Sequence, residues 1–244
     1  QPERVIAWVN QGLFFLATLL AWRLARMLFD PLVAWLSAAV LMGADLLWRF
    51  SISGLPTMLA VVVLLLLAHL LVAAERGGRD ETWGAGRLYL AAFVAGALAG
   101  ALGLTRYALG VLVLPVMFYF NLFFNPRGLS LGFAVLVGFA AVVTPWLMRN
   151  HELSGRLFGT AGLAAYQTTD RFPGDRLERL LNPENNLTHE DLRQVGLDEL
   201  LYKVGDRLPG VLQNDLPRLG GSWVTALFLA GLLVPFRNPA LERL

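Results

Sequence analysis

Between Leu55 and Ala74 the chain carries one ionisable side chain, His69, and the run Val61-Val62-Val63-Leu64-Leu65-Leu66-Leu67 lies at its middle. No water-facing helix tolerates such a stretch. As a helix it is long enough to cross the roughly 30 Å hydrocarbon core of a bilayer. Six further apolar stretches follow the same reading: Val5–Ala21, Pro31–Leu47, Leu88–Leu104, Tyr107–Phe124, Leu129–Met148 and Trp223–Phe236. Strand alternation is absent from them, and isolated strands leave backbone groups unsatisfied in lipid, so helices are the spanning element. The expected fold is all-α, a polytopic transmembrane bundle of about seven spans with one polar extracytoplasmic helical segment.

Composition agrees. The 244 residues are 56% apolar and 16% charged, where a soluble domain has about 45–50% and about 25%. Mean hydropathy is +0.57. Low charge and 11% aromatic residues exclude disorder. With no Cys, a disulfide framework, a Cys-ligated zinc site and a thiol nucleophile are excluded, and three His exclude a His-rich metal site. Net charge is +2. Basic residues near a membrane set topology, so nucleic acid is not an expected partner.

Arg placement orients the spans. Alternate short loops carry Arg23 and Arg26, then Arg76, Arg79 and Arg87, then Arg127, then Arg237 and Arg243, while the opposite loops carry only Arg49 and Arg106. The positive-inside rule puts the richer set in the cytoplasm. Three regions follow: residues 1–148 hold spans one to six, residues 149–220 form the extracytoplasmic segment, and residues 221–244 hold span seven and a cytoplasmic end. Within the polar segment, Thr188-His189-Glu190-Asp191 reads as a helix start and Gly196 as a stop. After Asp198, the residues Leu200, Leu201, Val204, Leu208, Val211 and Leu212 recur at helical spacing, with Pro209 expected to kink or split the run. The chain opens Gln1-Pro2-Glu3-Arg4 without Met, which reads as processing or as a piece of something longer.

Phosphate loops and H-E-x-x-H are missing. The informative groups are polar residues at the outer span ends. Arg49, Arg106 and Arg149 fall at one membrane depth, that of lipid phosphate, and Arg matches phosphate with a bidentate fork. Each alone also reads as a snorkelling anchor of a helix end. His69 lies inside a span, where an ionisable group is a functional candidate by default, but a neutral His bonding a neighbouring helix is the favoured reading. Asp45 can pair with Arg49 one turn later. Gly96-Ala97-Leu98-Ala99-Gly100, followed by Gly103, makes a small-residue face for close helix packing.

The residues that carry a family resemblance are the turn Leu24-Ala25-Arg26-Met27-Leu28-Phe29-Asp30 and the loop Ser53-Gly54-Leu55-Pro56-Thr57. With them go the segment Gly96 to Arg106, Pro145-Trp146-Leu147-Met148-Arg149-Asn150 with Gly155, and Gly220-Gly221-Ser222-Trp223 with Phe236-Arg237. In this order they resemble the GT-C superfamily of membrane glycosyltransferases, nearest to bacterial polyprenyl-phosphate mannosyl- and aminoarabinose-transferases. The resemblance covers most of the chain. It implies a polyprenyl-phosphate sugar donor, transfer on the outer face of a bacterial cytoplasmic membrane, and Arg106 and Arg149 as phosphate contacts, joined by Arg49. Tyr107, Asn150, Tyr166, Gln167 and Thr168 are then candidates for sugar contacts. The family's acidic pair, which serves as base and often binds a divalent metal such as Mg or Mn, has no counterpart here, so that cofactor would rest on residues outside this chain. The catalytic residues are accordingly unknown. Expected partners are membrane lipid, the donor and other membrane subunits. The alternatives are a non-catalytic scaffold subunit that keeps a GT-C-like fold, and a transporter or flippase.

Overall fold

The computed structural model describes residues 2–155, 157–158, 196–210 and 213, and every regular element among them is helical. In chain order these are α1 (Pro2–Leu28), α2 (Pro31–Gly43), α3 (Asp45–Ile52), α4 (Thr57–Arg79), α5 (Ala85–Thr105), a 3-10 turn (Tyr107–Leu112), α6 (Val113–Phe123), α7 (Gly128–Ser154) and α8 (Leu197–Gly210). They fall into two units divided after Trp146.

Where the sequence predicts seven spans, the described residues hold four helices long and apolar enough to cross a membrane: α1, α4, α5 and α7. The bent pair α2 and α3 makes a fifth if counted as one span. These helices mark the chain as an integral membrane protein. Residues 223–236, the expected seventh span, lie outside the described residues. The outer faces agree with lipid as solvent. Trp8, Leu32, Trp35 and Leu129 are 73%, 68%, 66% and 82% exposed, a spread of large apolar side chains that water does not tolerate as one continuous patch.

Two expected spans differ from a straight helix. Residues 31–47 do not run through: the chain bends by 59° between α2 and α3. Asp30 starts α2 cleanly, its carboxylate accepting from the Val33 N–H at 2.9 Å, with Pro31 in the first turn. At Ala44 the backbone turns extended (φ −77°, ψ 102°). Trp48 donates its indole N–H to the Met42 carbonyl at 2.6 Å, which supplies a partner for a carbonyl at the end of the broken ladder. The Trp48 ring also packs on Phe14 of α1, centroids 4.8 Å apart. The expected span 107–124 is likewise divided into a 3-10 turn and the 11-residue α6. A Cβ on Gly103 would lie 3.0 Å from the Gly110 Cα, so the turn folds back tightly on the end of α5.

Helix α5 is the axis of the bundle. Half of its apolar stretch is buried, against 22% for α1. Ala91, Ala92, Ala95, Ala99 and Leu102 form its buried face. They pack with Leu67 and Ala74 of α4, Phe120 of α6, and Leu131 and Val135 of α7. The small-residue face read from the sequence does the expected work. A Cβ on Gly96 would sit 1.9 Å from the Val135 carbonyl oxygen, and a Cβ on Gly138 would sit 1.9 Å from that of Phe93. The two glycines thus let the α5 and α7 backbones touch.

Helix α7 continues past Met148 to Ser154 with Pro145 inside it. In the second unit α8 ends at Gly210, with Pro209 in its last turn, and Leu201 and Tyr202 are exposed. The expected helix start at residues 188–191 lies outside the described residues.

Candidate functional site at the two ends of the bundle

Helices α4 and α5 are antiparallel, so Thr57 and Arg106 meet at one end and Glu75 and Trp83 at the other. At the first end Arg106 closes α5. Its backbone leaves the helix (φ −145°, ψ 114°), and its N–H caps the Leu102 carbonyl at 2.9 Å. This break throws the side chain outward, where one guanidinium nitrogen donates to the Thr57 hydroxyl at 2.9 Å. Thr57 opens α4, so the bond ties the end of one span to the start of another. Tyr107 stands next to Arg106 and stacks on Trp146 of α7 at 5.4 Å between centroids.

Arg49 is engaged elsewhere. It pairs with Asp45 one turn back on α3 at 2.8 Å, as the spacing predicted. Both side chains are about three-quarters exposed (74% and 76%), so the pair adds little stability. Asn10 of α1, 7% exposed, donates to the Ser53 carbonyl at 2.5 Å and fastens the loop that leads into Thr57. Arg149 and Asn150 lie on the last turns of α7, in the second unit, with Arg149 exposed. Tyr166, Gln167 and Thr168 lie outside the described residues. Of the sequence-derived candidates, then, Arg106 and Tyr107 share one corner beside Thr57, and Arg49 holds its own carboxylate.

His69 donates Nδ1–H to the Leu65 carbonyl of its own helix at 2.7 Å, not to a neighbouring helix. Its Nε2 is buried with no hydrogen-bond partner among the described residues, as are Trp22 Nε1 and Asn121 Oδ1. No group of three His, Asp or Glu able to hold a metal ion occurs among the described residues.

The opposite end holds a feature that the sequence reading passed over. Glu75 is only 2% exposed. The Tyr119 hydroxyl of α6 donates to its Oε2 at 2.9 Å. Ending the third span at Ala74 leaves Glu75 to a loop, but α4 runs on to Arg79. Carried forward at helical spacing, the stripe Leu67-Leu71 places Glu75 on the core face. That continuation of phase was the available signal. Next in sequence, the Arg76 guanidinium donates to the Met27 carbonyl near the end of α1, satisfying a carbonyl of the last turn. Glu75 lines a half-open cavity of about 450 Å³, together with Arg79, Trp83, Phe123, Phe124 and Arg127.

Compared with known proteins, the chain matches no protein-family model, no curated protein and no solved structure.

Proposed function

We propose that this chain is the membrane core of a GT-C-type glycosyltransferase that moves a sugar from a polyprenyl-phosphate donor to an acceptor at the outer face of a bacterial cytoplasmic membrane. The observation that carries the reading is Arg106, exposed at the bundle end and oriented by the Thr57 hydroxyl. Of its five N–H donors, Thr57 takes one. The guanidinium can therefore grip a phosphate oxygen pair while Thr57 fixes its angle. As the sugar leaves, negative charge grows on the lipid phosphate, and a fixed cation stabilises it without reorganising. The Tyr107–Trp146 ring pair beside Arg106 supports the reading, since an amphipathic aromatic surface suits an isoprenoid next to its phosphate. The loop richness in Arg supports the sidedness, with the Arg106 end outside.

The test is titration of the detergent-purified chain with undecaprenyl phosphate. Arg106→Ala is expected to weaken binding by about tenfold or more, the factor that one charge-assisted hydrogen bond supplies. Arg49→Ala, whose guanidinium is already held by Asp45, is expected to change it by less than about threefold. Equal affinity of the natural chain and Arg106→Ala would contradict the assignment.

A further inference from the structure

Helix α1 ends with two arginines that no carboxylate engages. Arg23 and Arg26 are both exposed, and neither forms an ion pair among the described residues. Three residues apart on one helix, they share a face and stand about 4.5 Å apart along its axis. Arg26 is held in place, because its guanidinium lies over the Trp22 ring, 5.2 Å from the centroid. Trp22 in turn packs on the exposed Trp35 of α2 at 5.7 Å between centroids.

The charged groups around them are engaged elsewhere. Asp30, the nearest acid in sequence, accepts from the Val33 N–H that starts α2. Arg76 donates to the Met27 carbonyl, which offsets the partial negative charge at the end of α1. On the α4 side of the same bundle end, Arg79 lies 4.0 Å from Asp80, while Glu75 and Glu81 line the cavity beside Trp83.

Toward the middle of the span, the face that carries Arg23 and Arg26 continues with Leu19, Leu16 and Phe15, all exposed. A molecule anchored in the bilayer can lay its chains on these side chains and its headgroup against the two guanidinium groups. An arginine fork matches a phosphate. Two on one face, with no carboxylate paired to them, match a headgroup that carries net negative charge better than one whose own amine neutralises it.

We propose that Arg23 and Arg26 bind the headgroup of an anionic phospholipid, with Trp22 as the residue that positions Arg26 and Phe15, Leu16 and Leu19 as the acyl-chain contact. The site lies at the end of the bundle opposite Arg106, since Arg106 meets the start of α4 and Arg76, near the end of α4, meets the end of α1. It does not rest on the glycosyltransferase reading.

The test is calorimetric titration of the whole chain, purified in a neutral detergent, with short-chain phosphatidylglycerol, short-chain phosphatidylcholine and inorganic phosphate. Phosphatidylglycerol is expected to bind saturably and about tenfold or more tighter than either comparison. Arg23→Gln and Arg26→Gln, both at exposed side chains, are each expected to cost about fivefold, the factor that one arginine supplies near an anionic headgroup. Arg87→Gln removes another exposed cation, at the start of α5, and is expected to change affinity by less than about twofold. Trp22→Leu keeps both charges and is expected to cost about threefold, with a smaller loss in Trp22→Phe, which retains an aromatic face. The proposal is overturned if phosphatidylcholine binds as tightly, which makes the face a plain apolar lipid contact, or if inorganic phosphate does, which makes it a soluble-anion site. It is overturned also if Arg26→Gln leaves affinity unchanged, or if Arg87→Gln costs as much as Arg26→Gln, which makes the attraction a diffuse field. Phosphatidylglycerol binding is expected to be unchanged in Arg106→Ala; its loss there would move the lipid to the other end of the bundle and overturn the proposal.

Discussion

Gly96→Val is expected to lower the stability of the detergent-solubilised bundle by about 3 kcal/mol or more, the upper range for overpacking a filled interior. The reason is backbone, not side chain. A Cβ at position 96 would lie 1.9 Å from the Val135 carbonyl oxygen and 2.7 Å from its carbon. No rotamer relieves such a clash, so α5 and α7 must separate. Separation removes the contacts of Ala95, Ala99, Leu131 and Val135 together, because all belong to one buried cluster. Gly138→Val acts on the same crossing from the other helix, against the Phe93 carbonyl. Against a typical net stability of about 5–15 kcal/mol, either change is severe. Gly12 is the internal comparison: it lies within α1 with nothing within 4 Å of its would-be Cβ. Gly12→Ala is expected to be neutral or to stabilise by about 0.5–1 kcal/mol. The check is the fraction of monodisperse protein that survives a temperature series. Equal survival of Gly96→Val and Gly12→Ala would contradict the close crossing.

The second large effect falls on turnover. On the proposed function, in membranes that also hold the acidic catalytic residues for which this chain has no counterpart, Arg106→Ala is expected to reduce transfer from a polyprenyl-phosphate sugar about 10²- to 10³-fold, the loss seen when one fixed donor to a developing anion is removed. Arg106→Lys keeps the charge but loses the planar fork and the geometry toward Thr57, so an intermediate rate is expected. Thr57→Val removes the orienting hydroxyl and leaves the guanidinium free to rotate, which costs rate with little change in overall charge. Rates for Arg106→Ala within about twofold of the natural chain would place the phosphate elsewhere.

The spans were legible because lipid leaves few choices. A run such as residues 61–67 has no other stable home, and the small faces around Gly96 announce a close crossing. The Asp45–Arg49 pair was legible for the same reason, since neighbours one turn apart meet on any helix. What escaped was set by tertiary contact. Nothing in Gly43-Ala44-Asp45 forbids a straight helix. The break there goes with Trp48 reaching back to the Met42 carbonyl and packing on Phe14. Gly103 and Gly110 look ordinary until their backbones meet, and that meeting accompanies the division of residues 107–124. Of the candidate site, Arg106 and Tyr107 could be named from their place at a span end. The Thr57 partner could not, because 49 positions separate the two in sequence. Glu75 was hidden by ending a span at its last apolar residue, although the helix carries its phase one turn further.

The most direct measurement compares one lipid with and without its phosphate. The purified chain is equilibrated with equal amounts of undecaprenyl phosphate and undecaprenol, and the retained lipid is identified by native mass spectrometry. Retention of the phosphate form about tenfold or more over the alcohol is expected, and the preference is expected to disappear in Arg106→Ala. Equal retention of the two lipids, or a phosphate preference that survives the loss of Arg106, would contradict the assignment of this end of the bundle to a polyprenyl-phosphate donor.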